Sequence, residues 1–243
     1  MNHAGAIKML SVFLLTTCGF SLLAGSSSVP IDRLDEIGRI EKSMEVLKAI
    51  VDLPEEGLPE ALLRKAHAVA IFPGVIKAAY GIGGQFGKGI VLVRSGKNRW
   101  SYPCFIRLVG GSVGWQIGIQ KMDIVLVFKS VQSITDIAEG KITLGADVSV
   151  TAGPVGRRAE ASTDLDFEAE IYSYAKSKGL FAGISLKGAV LQVDNTANRE
   201  FYGRPAIRAE DILTEKRINA PAEAEEMRRL LERLIDRAGR LIR

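Results

Sequence analysis

Between residues 32 and 51 the apolar positions Leu34, Ile37, Ile40, Met44, Leu47 and Ile50 recur at three- and four-residue steps. That spacing predicts an amphipathic helix, with Asp32 as N-cap and Pro54 ending the run. A shorter helix is expected to begin at Pro59 and to carry Ala61, Leu62 and Leu63, since proline suits the first helical position. Beyond it the period changes to two. Strands are predicted at 67–72, 80–94, 100–109, 112–120, 123–128, 146–152 and 181–193. The most regular alternation lies at 159–171, where Ala159, Ala161, Thr163, Leu165, Phe167, Ala169 and Ile171 interleave with Glu160, Ser162, Asp164, Asp166, Glu168 and Glu170.

Two strand segments share an unusual face. In 80–90, Tyr80, Ile82, Phe86 and Ile90 oppose Gly81, Gly83, Gln85, Gly87 and Gly89; in 112–120, Val113, Trp115, Ile117 and Ile119 oppose Ser112, Gly114, Gln116, Gly118 and Gln120. Strand glycine marks bends or close backbone approach, so a helix or another strand is expected over the glycine face. A ligand groove is the alternative reading. Short helices are predicted at 132–139 and 210–215. A longer one at 222–243 has the stripe Met227, Leu230, Leu231, Leu234, Ala238 and Leu241 flanked by six arginines. Two roles fit that pattern: lying on an anionic surface, or packing with a solvated face. The fold class is therefore α+β, a strongly coiled, mainly antiparallel, glycine-rich sheet or partial barrel flanked by N- and C-terminal amphipathic helices.

The N-terminus adds a targeting signal. One positive charge, Lys8, precedes an uncharged apolar run from Met9 to Gly25, with small residues Ala24 and Ser26 placed for cleavage. Residues 1–26 are predicted to be a signal peptide, and the chain to be exported, periplasmic or extracellular. Two other fates stay open: a lipid on Cys18 within Leu15-Thr16-Thr17-Cys18, or an uncleaved anchor, for which 17 apolar residues are barely enough. Without the leader Cys104 is the one cysteine, so no internal disulfide is expected, and its neighbours Phe105 and Ile106 point to a buried thiol.

Composition is that of an ordinary globular chain: 243 residues, 47% hydrophobic and 25% charged. The 32 basic and 28 acidic residues leave a net charge of only +4, which lends little support to nucleic-acid binding. Catalytic motifs fail on mechanical grounds. Gly110-Gly111-Ser112-Val113-Gly114 matches the nucleophile elbow, but that chemistry needs a strand-to-helix turn and a downstream histidine, whereas the only histidines are His3 and His67. Lys88 is followed by Gly89, not Ser or Thr, which breaks the phosphate loop. With so few histidines and cysteines no metal site is expected, and the carboxylates of 160–170 lack an EF-hand's spacing. No cofactor and no enzymatic activity are predicted.

The ordered series of glycine and aromatic motifs resembles the SYLF domain family. Its landmarks here are Ala68-Val69-Ala70-Ile71-Phe72-Pro73, Gly87-Lys88-Gly89, Trp100-Ser101-Tyr102-Pro103 and Gly114-Trp115-Gln116-Ile117-Gly118 leading into Asp123-Ile124-Val125-Leu126. They continue with Leu144-Gly145-Ala146-Asp147, Ala152-Gly153-Pro154-Val155-Gly156-Arg157, Tyr172-Ser173-Tyr174, Lys178-Gly179-Leu180-Phe181, and Asn198 with Phe201-Tyr202-Gly203. The resemblance spans roughly residues 38–215. It implies a lipid-binding domain at 27–215 that includes the N-terminal helix, with the basic amphipathic helix of 216–243 following it. Eukaryotic members bind phosphoinositides, and some touch actin. For this chain the expected partner is an anionic phospholipid or membrane surface, with an envelope protein as the alternative.

On that reading, basic residues in turn-like segments dock onto headgroup phosphates. The candidates are Lys77, Arg94, Lys97, Arg99, Arg157, Arg158, Lys176 and Lys178.

Overall fold

The computed structural model describes residues 31–51, 53, 57–95, 99–130, 132–155, 169–215 and 218–240. The leader segment with Cys18, the alternating stretch 159–168, and the candidates Lys97, Arg157 and Arg158 lie outside them.

The first helix, α1 (Ile31–Val51), begins before Asp32, so that residue lies within the helix and does not cap it. Its stripe packs from Ile40 onward, where Ile40, Leu47 and Ile50 are fully buried, each burial contributing roughly 1.5–3 kcal/mol, whereas Leu34 at its start is 53% exposed. A single turn and a half, α2 (Glu60–Arg64), follows with Pro59 as its N-cap. Two very long strands come next, β1 (Ala68–Ser95) and β3 (Cys104–Phe128), joined through the two-residue β2 (Arg99–Trp100). They pair antiparallel from Ala68↔Phe128 to Val91↔Cys104. The strands predicted at 67–72 and 80–94 are thus one, as are those at 112–120 and 123–128 with the 104–109 part of the strand predicted at 100–109.

A flat ribbon of this length would leave both faces wet, and this one folds back on itself. Two register breaks let it bend. Between Phe72↔Ile124 and Val75↔Met122, Pro73 and Gly74 oppose Asp123 alone, a β-bulge in which Gly74 takes a left-handed φ of 64° and its N–H donates to Asp123 Oδ1 at 2.8 Å. Between Tyr80↔Ile117 and Ile82↔Val113, residue 81 faces residues 114–116. The ends of β1 consequently meet: Arg94 N–H donates to His67 O at 2.8 Å, and His67 N–H to Phe128 O at 2.7 Å. Where the halves cross, a Cβ at Gly87 would lie 2.6 Å from Val75 Cγ2, and one at Gly89 would strike Ile71 O and the Phe72 ring. The strand predicted to cover the glycine face is the first half of β1 itself.

Remaining strands extend the ribbon on its β3 side. They are β4 (Lys141–Thr143), β5 (Val150–Ala152), β6 (Ile171–Ser177), β7 (Leu180–Gly183) and β8 (Ala189–Val193). The first half of β3 pairs with β8, which pairs with β4; its last six residues pair with β6, which carries β5 and β7. Only β5 and β6 run parallel among these strands. The result is a strongly curled, mostly antiparallel half-barrel in an α+β fold. The strand predicted at 181–193 is two, broken at residues 184–188, and β6 begins at Ile171, where the alternation predicted at 159–171 ends.

Helices close the sheet: α3 (Gln132–Ala138), α4 (Asn195–Tyr202), α5 (Ala209–Leu213) and α6 (Ala222–Arg240). Among the described residues the one helix the periodicity missed, α4, is short but well bounded. Asp194 caps its start by accepting from Ala197 N–H, and Gly203 ends it at φ 61°. Its Asn198 amide accepts from Phe105 N–H at 2.8 Å and donates to Phe105 O at 3.2 Å, replacing a missing strand beside β3. The stripe of α6, with Met227 and Leu231 fully buried and Leu230 and Leu234 nearly so, joins the common core against α1 and α2. The packed role of that helix is the one observed. Among the described residues no helix is long and apolar enough to cross a membrane.

Candidate membrane-docking surface

The candidate residues fall into two groups. Arg94 and Arg99 lie where the ribbon's ends meet α6. Arg94 stacks over the buried Trp100 ring at 5.1 Å, and burial lowers its guanidinium pKa. Arg99 reaches Glu215 at 2.9 Å, and Arg228 of α6 binds the same carboxylate at 3.1 Å. These arginines are engaged in holding β2, α5 and α6 together.

Lys77, Lys176 and Lys178 lie at the other end of the first ribbon half. Lys77 faces Gln120 across the β1–β3 pair. Its neighbours on the opposite face are the pairs Ile76↔Lys121 and Ala78↔Ile119, because directly opposed residues point the same way. Lys176 pairs with Asp123, two residues from Lys121. At the end of β6 the chain reverses through Lys178 and Gly179, with φ of 49° and 83°, so that Ser177 pairs with Leu180. Two positive φ values at the centre define the type I′ hairpin turn, which matches the twist of the strands. Ser177 Oγ donates to Lys121 O at 3.1 Å and ties this hairpin to β3.

Large apolar side chains stand open at the same end: Ile119 is 81% exposed, Leu180 76% and Ile76 50%. A cleft of about 500 Å³ runs beside them, between α1 and the bulge, lined by Lys42, Glu45, Pro73, Gly74, Lys121 and Asp123 among others. The arrangement is an apolar edge surrounded by Lys77, Lys121, Lys176 and Lys178. It has no nucleophile and base in hydrogen-bonding order; the elbow-like Gly110–Gly114 runs inside β3, where no strand-to-helix turn exists. A second cleft, about 560 Å³ between α3, β4 and β8, is lined by Asp136, Glu139 and Asp147 with Lys141, the wrong charge for a phosphate ligand.

Lys121 was not among the sequence candidates, although a signal for it existed. From residue 61 to residue 122 the chain has no Asp or Glu while carrying nine Lys and Arg, whereas 28 acidic residues spread evenly over 243 would put about seven there. The whole β1–β3 ribbon up to Met122 is thus free of carboxylates, a bias that a net charge of +4 conceals.

Elsewhere the buried polar groups are structural. Arg39 of α1 contacts Glu36 at 3.4 Å and Asp194 at 3.7 Å and stacks on Phe105 at 5.1 Å. Burial lowers the Arg39 pKa and raises that of Glu36. The Cys104 thiol is fully buried, pushed up to about 12 by desolvation, and accepts from Asn198 Nδ2 at 3.5 Å. That is the inert thiol its apolar neighbours predicted.

A family model described as Las17-binding protein actin regulator matches residues 109–234, just over half of the chain. SH3 domain-containing YSC84-like protein 1 of Xenopus laevis is 36% identical over 197 residues, covering 79% of this chain and 58% of the relative. Protein YSC84 of Saccharomyces cerevisiae is 34% identical over 200 residues, covering 79% and 42%. LAS seventeen-binding protein 3 of the same species is 36% identical over 181 residues, covering 73% and 39%. The chain spans little more than half the length of these curated relatives, or less. Their names and the family description speak of binding and regulation, not of a reaction. They also overturn the expectation of an exported, periplasmic or extracellular protein with an envelope partner: these are eukaryotic proteins named for SH3 domains and a regulator of actin.

Proposed function

Because the chain belongs to the Ysc84, or SYLF, family, we propose that it is a non-catalytic membrane-surface binding module whose lysine-rimmed ribbon end docks onto anionic phospholipid. One observation carries this reading: Lys77, Lys121, Lys176 and Lys178 gather from three strands and a turn along the edge that exposes Ile76, Ile119 and Leu180, where residues 61–122 carry no carboxylate. Each lysine near an anionic surface contributes about 1 kcal/mol, so several must act together and salt must weaken them. Arg94 and Arg99 are left out because Trp100 and Glu215 engage them. Lys97, Arg157 and Arg158 stay on the list from sequence alone.

Co-sedimentation with phosphatidylcholine vesicles, with and without phosphatidylserine, over a salt series tests the proposal. The expected result is salt-sensitive binding to the anionic vesicles only. Lys176→Gln with Lys178→Gln should weaken it by about 2 kcal/mol, roughly 30-fold. Equal binding by that double variant, or none by the parent chain, would remove the surface from consideration. In the latter case the family's description favours a protein partner.

A further inference from the structure

We infer that Ile119 and Leu180 enter the acyl region of the bilayer as a pair of anchors, with the lysines around them held at headgroup level. This rests on the docking proposal and adds depth and orientation to it.

Three features point this way. Among the described large apolar residues these are the two most exposed, at 81% and 76%. They stand on the two faces of one edge, so that an edge-on approach brings both to the bilayer: Leu180 pairs with Ser177, the Ser177 hydroxyl binds Lys121 O, and Ile119 lies about 7 Å beyond Lys121 along β3, on the opposite face from Leu180. Leu180 is also held out by a turn that keeps Lys178, a residue with a Cβ, in a left-handed conformation, so its exposure is built into the backbone.

The surrounding charges favour lipid over a protein partner. Protein interfaces are enriched in Arg and aromatic side chains and depleted of Lys. Here every rim cation is Lys and the two protruding side chains are aliphatic. Lysine stems can lie along apolar surface while the ammonium stays among phosphates. Of the two acids lining the adjoining cleft, Asp123 accepts from Gly74 N–H at 2.8 Å and Glu45 belongs to α1.

The test attaches an environment-sensitive fluorophore to Ile119→Cys and, separately, Leu180→Cys, in the full chain with Cys18→Ser; Cys104 is fully buried. A third label at Arg233→Cys, exposed on α6, is the control. Phosphatidylcholine–phosphatidylserine vesicles carry a nitroxide on the acyl chain. Quenching at 119 and 180 but not at 233 is expected, and Ile119→Ala with Leu180→Ala should lower the binding that survives high salt, roughly tenfold for each residue. Vesicle binding with no quenching at 119 or 180 would overturn the anchors and leave the docking proposal standing. No vesicle binding at all would overturn both. A dimer that Ile119→Asp dissolves, without vesicle binding, would assign the edge to a second copy of the chain and likewise overturn the inference.

Discussion

Glycines of the same ribbon have opposite surroundings. At Gly87 and Gly89 the first half of β1 lies so close that a Cβ would strike Val75, Ile71 O or Phe72; at Gly111 nothing lies within 4 Å of where it would be, and at Gly84 the nearest atom is 3.8 Å away. One set of glycines lets two layers of backbone touch. The other lies on the open arm beyond that crossing, near the lysine-rimmed edge. Identical residues in one repeating pattern thus serve packing at the base and leave the arm bare, so strand glycine taken alone says nothing of which role applies.

Four substitutions sharpen or break this contrast, in falling order of effect. Gly89→Ala should cost roughly 3 kcal/mol or more by chemical denaturation, since backbone on one side and a buried ring on the other cannot yield without shifting the layers. A loss below about 1 kcal/mol would show that the crossing is looser than described. Asn198→Ala strands the N–H and carbonyl of Phe105 in the core and should cost about 2–3 kcal/mol. Its effect tests whether the base depends on α4 as well as on the glycines. Lys178→Asn supplies the residue that a type I′ turn prefers and should raise stability by up to about 1 kcal/mol while weakening vesicle binding. Gly111→Ala should change stability by no more than about 0.5 kcal/mol and leave vesicle binding as it was. A large loss at Gly111 would mean that the arm is packed against something after all.

Much of the architecture was legible in the residues. The 3.6-residue stripes of α1 and α6 and the short helix α3 follow their periodicity, and Gly87 and Gly89 announced a close neighbour. The misses have physical causes. Asp32 looked like a cap, but the helix begins before it. Helix α4 has too few turns to display a stripe, although Asp194 and Gly203 mark its ends. Strands were split at bends because Pro73–Gly74 looks like a turn, whereas Asp123 stabilises that dipeptide as a bulge within one continuous strand. The candidate site was half legible. Turn-like position singled out Lys77, Lys176 and Lys178, but also Arg94 and Arg99, which Trp100 and Glu215 engage. The leader-like N-terminus suggested export, against the character of the relatives.

By itself the sequence determined which segments alternate and which spiral, that residues 61–122 lack carboxylates, and to which family the chain belongs. These are properties of neighbouring residues or of their order, and need no coordinates. Only the tertiary structure decided which half of the ribbon covers the other, which arginines are engaged, and that Lys121, Ile119 and Leu180 share one edge. Those depend on a strand folding back over itself, where residues 12 to 27 positions apart meet, and no local pattern encodes such contacts.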